Sequence, residues 1–350
     1  MDHIAIDLGG KESQICVRSC EGRIVLEERR ETWRLGAFLG RRERSRVILE
    51  TCAEAFAIAD RALEQGHEVR VVPSTLVRGL GVGARGIKTD VRDARALSEA
   101  SCRMDLPSVH VPSKESRRRK SLCGMREALV GARTQLINTV RGWLRTQGRR
   151  VRSGGAETFP ERVRKQQEQE HALGLPRYVE RQLETLDVLT RQIREADAEL
   201  AEEASKDATC RRLMTVPGVG PVTALRYVAA LDDRSRFKTA HQVESYTGLV
   251  PGEASSSENR RRTSLTKAGA PALRWALVQA AWSMRRCRPN DPAVRWCLDV
   301  ERRRGKRIAV AALARKIVGI LFAIWRDGTT YDPQRGAKAQ NEPMPSETGR

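Results

Sequence analysis

The first hundred residues alternate strand-like and helix-like segments in one order, and that order limits the fold more than any other feature. HIAIDLGG (3–10) is a short, β-branched apolar run that ends in a glycine turn. SQICVRSC (13–20) and RIVLEERRE (23–31) come closely enough after it to form an antiparallel meander with it. Segment 33–43 reads as helix and RVILET (46–51) as a fourth strand. AEAFAIADRALEQG (53–66) carries apolar residues at helical spacing and ends on glycine, and VRVVP (69–73) is a fifth strand stopped by proline. The order is β-β-β-α-β-α-β, then helix. By itself it specifies an α/β domain with a mixed sheet.

That order is similar to the ribonuclease-H-like fold, to which RuvC-type nucleases belong. Four acids fall where one metal site on such a fold would need them. Asp7 sits inside the first strand, where an uncompensated charge is costly and a bound cation would offset it. Glu50 closes the fourth strand, which lies beside the first in this fold. Asp90 and Asp93, in GIKTDVRDARAL, are three apart and share a helix face. Carboxylates are hard oxygen donors, and this set suits two Mg²⁺ (or Mn²⁺) ions for phosphoryl transfer. Taken singly, each has a structural explanation: Asp90 as a helix cap, Glu50 as an arginine partner. Asp7 is the exception because of its place in a strand. IDLGG also resembles the phosphate-binding turn of actin-like ATPases and sugar kinases. A kinase would need a second glycine-rich phosphate loop and an adenosine loop, and the chain offers no convincing candidate for either.

The charge balance also speaks against a small-molecule kinase. Lys plus Arg number 64 against 44 acids, a formal charge of +20, which points to nucleic acid. Aromatic residues are only 4% of the chain, too few for a platform stacking many bases, so duplex or backbone contacts are expected. Eight cysteines contain no CxxC and five histidines no HxxxH, which argues against zinc. Scattered cysteines without a signal peptide suggest the cytoplasm. The apolar stretch 308–325 is interrupted by Arg315 and Lys316 and reads as a packed helix, so no membrane partner is expected.

From Glu115 to about Gly148, Leu122, Met125, Leu129, Ala132, Leu136 and Trp143 fall at three- and four-residue steps, a heptad-like seam with Thr139 filling one slot. Arg119, Arg126 and Arg133 recur every seven residues on another face. A second helix over 177–204 has Val179, Leu183, Leu186, Ile193 and Leu200 on its seam, weakened by Thr190 and Asp197. An antiparallel helical hairpin or coiled coil is expected, with ordinary core helices as the alternative.

Residues 213–231, LMTVPGVGPVTALRYVAAL, have the form of a helix-hairpin-helix element, with Gly218 and Gly220 at the turn and Pro221 opening the second helix. Backbone N–H groups at such a turn can contact DNA phosphate. Farther on, Ser255, Ser256 and Ser257 lie in a polar loop, with Arg260, Arg261, Arg262 and Lys267 close behind. A serine hydroxyl beside several cations can attack a phosphodiester. Most serine-rich loops are only loops.

IDLGG, ILET, KTDVRDA and the run from VPGVGPVTA through GLVPGEASS to LTKAG together resemble the DEDD transposases of the insertion sequence one-ten family, which includes the Piv-type invertases. The likeness covers nearly the whole chain, in order. It implies a RuvC-like catalytic domain over 1–110, a helical coiled-coil region over 111–205 and a mainly α transposase domain over 206–330, with a disordered tail over 331–350. It implies that Asp7, Glu50, Asp90 and Asp93 form the metal-binding tetrad. It also implies a serine nucleophile that links covalently to DNA and a structured bridge RNA that sets specificity. Because the acids and the serine are far apart in sequence, a homo-oligomer formed through the 115–204 helices is expected. The family often has Ser-Ser-Gly where this chain has Ser255-Ser256-Ser257, so Ser256 aligns best, with Ser255 the alternate. The arginine row 119, 126 and 133 is expected to suit RNA backbone. A RuvC-like nuclease using metal-activated water and a non-catalytic nucleic-acid-binding protein are the competing readings.

Overall fold

The computed structural model describes residues 1–79, 89–169, 174–254 and 262–334. The chain divides into two compact units, Met1–Pro112 and Ser113–Arg350.

The first unit begins with β1 (His3–Asp7), β2 (Glu12–Arg18) and β3 (Ile24–Glu31), an antiparallel meander. A 3₁₀ turn (Thr32–Arg34) leads into α1 (Leu35–Leu39), then β4 (Arg46–Glu50), α2 (Ala55–Glu64), β5 (Glu68–Val72), α3 (Ser74–Gly79) and α4 (Asp90–Arg103). The sheet order is β3-β2-β1-β4-β5, with β1, β4 and β5 parallel. This is the expected mixed sheet, compatible with a ribonuclease-H-like fold. Both sheet faces are covered, which explains the continuous apolar runs in β1 and β4. Ile4, Ile6, Ile15, Val47, Leu49 and Val71 pack with α1 and α2. Ala5, Ile48 and Val72 face the other way, onto Leu97 and Ala100 of α4. The helix expected over 33–43 is shorter than its sequence suggests.

The second unit is helical. It contains α5 (Lys114–Thr146), α6 (Phe159–Gln169), α7 (Arg177–Lys206), α8 (Ala208–Leu213), α9 (Pro221–Leu231) and α10 (Ala240–Tyr246). A two-stranded hairpin, β6 (Pro251–Glu253) and β7 (Arg262–Leu265), precedes α11 (Pro271–Cys287), α12 (Pro292–Arg304) and α13 (Lys306–Asp327). By length and composition α13 could cross a membrane, but Leu313, Ile317, Val318, Leu321 and Phe322 sit at the centre of the unit's core, among α8 to α12. It is the packed helix that Arg315 and Lys316 foretold.

Helices α5 and α7 form an antiparallel hairpin: Arg119 meets Asp207, Arg126 meets Asp197, and Trp143 meets Tyr178. The base of this hairpin is continuous with the later helices, because Cys123, Leu200 and Ala204 belong to the same core as α9, α11 and α13. The boundary expected near 205 therefore falls inside one unit. The outer part has its own core, in which Ile137, Val140 and Leu144 meet Phe159, Val179 and Leu183.

The seam of α7 is the one read from the sequence: Val179, Leu183, Leu186, Thr190, Ile193 and Leu200 are buried. That of α5 lies one residue away from its expected place. Cys123, Arg133, Ile137, Val140 and Leu144 are buried, and Met125 is 71% exposed. The arginine row is part of this true seam. Arg119 pairs with Asp207 at 2.7 Å, Arg126 with Asp197 at 2.8 Å, and Arg133 with Glu157 at 3.3 Å. Their stems pack and their charges meet acids within the hairpin, so the expected availability for RNA backbone is corrected here. Asp197, which seemed to weaken the α7 seam, is the partner of Arg126.

Candidate active site

The acids of the first unit are placed by strand register. Parallel β1 and β4 pair Ile6 with Leu49, so Asp7 and Glu50 end neighbouring strands at the same end of the sheet. Such strands lie about 4.8 Å apart. Helix α4 runs back across them. Its last turn meets the start of β1, where Ser101 Oγ is 2.7 Å from His3 Nδ1. One turn earlier, Ser98 Oγ accepts a hydrogen bond from Arg18 Nε (3.0 Å). The first turn, with Asp90 and Asp93, therefore lies at the end that carries Asp7. Arg29, whose strand partner Gln14 is opposite Asp7, reaches to 4.0 Å from Asp90.

Thr89 caps α4: its Oγ1 accepts from the Arg92 N–H at 3.3 Å. Asp90 is thus not the cap, and it stands exposed one residue farther in. Both acids of the first turn gain from the helix dipole. Asp93 is 2% exposed, whereas Asp7 and Glu50 are half-buried. Four carboxylates at one sheet end suit a hard divalent cation by donor chemistry. Among the described residues, however, no three acids, histidines or cysteines come close enough together to hold one ion. The edge aligns the donors without gathering a complete set.

The turn after Asp7 is locked. A Cβ on Gly9 would stand 2.3 Å from the Glu12 carbonyl oxygen, so glycine is required by close approach. Thr32 Oγ1 donates to the Gly9 carbonyl (2.6 Å) and lies 2.8 Å from Ser13 Oγ, which accepts from the Gly9 N–H (3.3 Å). Sequence reasoning missed Ser13 and Thr32. No local signal links them, because they meet only through strand pairing.

Ser255, Ser256, Ser257, Arg260 and Arg261 lie outside the described residues. The base that carries their loop is well defined. Pro251 pairs with Leu265 and Glu253 with Arg262, which opens β7. Thr266 N–H donates to the Val250 carbonyl (2.9 Å) and Lys267 N–H to that of Gly248 (3.2 Å). Gly248 has φ +69° and Gly269 φ +71°. A Cβ on Gly248 would meet Ala268 O at 2.2 Å, and one on Gly269 would meet Tyr246 O at 2.1 Å. These glycines let two backbone segments touch, which explains the spacing of TGL and KAG. Lys267 lies between them with φ +55°, rare for a residue with a side chain. Arg274 closes the base, its Nη1 donating to the carbonyls of Ala268 (2.5 Å), Gly269 (3.2 Å) and Thr247 (3.3 Å).

The glycine turn at 218–220 has a packing role. Gly218 has φ +86°, and a Cβ there would stand 2.3 Å from Ala280 O of α11. Gly220 is the N-cap of α9, with no atom within 4 Å of a Cβ built on it. Of the two, only Gly218 is held to glycine by close packing.

A family model for the IS110-type DEDD transposases, described as "Transposase", matches residues 4–147, and the model "Transposase IS116/IS110/IS902 family" matches 210–294. A probable family 20 transposase of Pseudomonas aeruginosa is 32% identical over 295 residues, covering 82% of this chain and 86% of that protein. The transposase for insertion sequence element IS1328 of Yersinia enterocolitica is 28% identical over 94% of this chain and 98% of its own. That for IS1111A of Coxiella burnetii is 28% identical over 94% and 90%. The chain belongs to the IS110 (insertion sequence one-ten) family of transposases, enzymes that cut and rejoin DNA.

Proposed function

We propose that this transposase cuts DNA with a serine of the 255–257 loop, Ser256 in first place and Ser255 as alternate, and that Asp7, Glu50, Asp90 and Asp93 hold the divalent metal its family implies. The observation that carries this reading is the alignment of the acids: register and helix direction bring all four to one end of the sheet. A bound Mg²⁺ or Mn²⁺ would stabilise charge growing on the phosphate. The serine Oγ–H gives up its proton as the Oγ–P bond forms. One P–O ester bond of the DNA breaks, and the departing oxygen takes up a proton. Rejoining is the reverse, with a hydroxyl of another strand displacing the serine.

What supports a role for this segment is its base, whose two strands leave from backbone segments in close contact. Arg260, Arg261, Arg262 and Lys267 would meet the phosphates around the attacked bond. Gly220 offers a sequence-independent phosphate contact. A structured bridge RNA would choose the target, and the charge of +20 suits two polyanions. The acids and the serine lie far apart in sequence, and a homo-oligomer formed through the helices over 115–204 belongs to this reading. All eight cysteines are free thiols, as suits the cytoplasm, and burial pushes Cys210 up to about 12, which makes it structural rather than reactive.

The test is covalent capture. Incubation with element-end DNA and Mg²⁺, then denaturation, should leave protein attached to DNA, and Ser256→Ala should abolish the adduct while the protein melts normally. An undiminished adduct in Ser256→Ala would move the assignment to Ser255 or Ser257. An adduct surviving all three alanine variants would remove the serine mechanism.

A further inference from the structure

The exposed face of α11 is unusual for a helix in so basic a protein. Trp275, Gln279, Trp282 and Arg286 succeed one another at four-, three- and four-residue steps, so they form one stripe about 16 Å long. Trp275 is 54% exposed, although tryptophan normally buries most of its large ring. Trp282 is half-buried, and Lys306, the first residue of α13, places its Nζ 5.1 Å from the ring centre. The start of α13 thus lies beside the Trp282 end of the stripe, with Arg307 next along the helix.

The charges here differ from those of the arginine row 119, 126 and 133, each of which meets an acid. Arg285 is matched by Glu301 at 2.8 Å, and Arg302 by Asp299 at 2.8 Å. No carboxylate of the described residues pairs with Arg286, Arg304, Lys306 or Arg307, all exposed. An exposed ring at one end of the stripe and unmatched cations at the other, Lys306 lying on Trp282, fit a strand of nucleic acid: a base for Trp275 and phosphates for the cations. A second copy of the chain is disfavoured, since it would bring the same cations and another +20 of charge. DNA is favoured over RNA by position. Helix α11 starts directly after the Lys267–Gly269 segment, and its Arg274 is bonded into the base of the serine loop.

We propose that this face carries the DNA strand next to the cut site, with Arg286, Lys306 and Arg307 on phosphates and an unpaired base stacked on Trp275. The proposal rests on the serine-loop reading for its choice of DNA. Non-covalent binding tests it separately from adduct formation. The probes are a labelled DNA duplex with a single-stranded overhang, the same duplex with blunt ends, and an RNA hairpin of arbitrary sequence.

Trp275→Ala should weaken the overhang duplex about ten-fold and leave the blunt duplex unchanged, and Trp275→Phe should recover most of the loss. The double variant Lys306→Ala, Arg307→Ala should lower the salt slope of log K by about two on both DNA probes. Lys206→Ala, which removes a lysine already paired with Glu202 at 2.7 Å, should change neither. Parent affinity and slope in the first and third variants would overturn the proposal. So would losses confined to the RNA hairpin, or a change of oligomeric state in Trp275→Ala. If these variants lose binding and no serine adduct ever forms, the surface stands and the serine mechanism falls.

Discussion

The acid edge and the hairpin base on either side of residues 255–261 are built in opposite ways. At the edge, regular structure does the placing: parallel pairing of β1 with β4 aligns Asp7 with Glu50, and one helix crossing brings Asp90 and Asp93 to the same end. At the base, irregular backbone holds two described segments together, through Gly248 and Gly269 pressed against opposing main chain and an arginine bonded to three carbonyls. The edge should therefore tolerate side-chain changes in fold while losing chemistry. The base should lose fold from a single methyl group.

The largest expected effect tests the first half of that contrast. Asp7→Asn should lower transposition to background, by about a thousand-fold or more, with an unchanged melting temperature. Full activity in this variant would remove the metal reading. Next, Gly248→Ala should cost about 3 kcal/mol or more in denaturant unfolding, since a Cβ has 2.2 Å to Ala268 O and φ is +69°. Gly10→Ala, with no atom within 4 Å of the new methyl, should stay within about 0.5 kcal/mol. Equal losses at the two sites would erase the distinction. Arg274→Ala should cost about 2 kcal/mol by leaving carbonyls without a charged donor, and Arg274→Lys should not restore it, because one ammonium lacks the guanidinium's planar fork.

The smallest effect concerns the hairpin, at the ion pairs that open α5. Arg118 and then Arg119, hydrogen-bonded to Glu115, hold its carboxyl down at about 2. A depressed folded-state value means that its stabilisation is complete above the ordinary carboxylate range, about 4.3, and lost as pH falls toward about 2. Thermal melts across that window should show a decline that Glu115→Gln lessens. Because the pair is exposed, the difference should be a few tenths of a kcal/mol. A decline identical in the variant would show that other groups account for it.

The order of elements along the chain was legible because strand-like runs, a glycine turn and a stopping proline occur at fixed places in the first hundred residues, while the strand order within the sheet was not. The acids were legible for the same reason: Asp7 breaks an apolar run, and Glu50 ends one. What stayed hidden is pairing between distant segments. The α5 seam reads one residue off because apolar residues such as Met125 flank it, while arginines occupy seam positions that only acids on α7 and the nearby loop can explain. The α7 seam, with apolar side chains at nearly every position, reads correctly. Likewise Gly218 looks like a DNA-contacting turn from its neighbours, and only α11 explains why it must be glycine.

On the proposed mechanism, a serine bonds to DNA only when the acids of the first unit are intact. The direct measurement is the mass of the 255–257 peptide after reaction with element-end DNA and Mg²⁺, for the parent protein and for Asp7→Asn. A nucleotide-bearing phosphoserine in the parent, absent from Asp7→Asn, is the predicted result. An equal adduct in both proteins, or cut DNA with no modified serine, would contradict it.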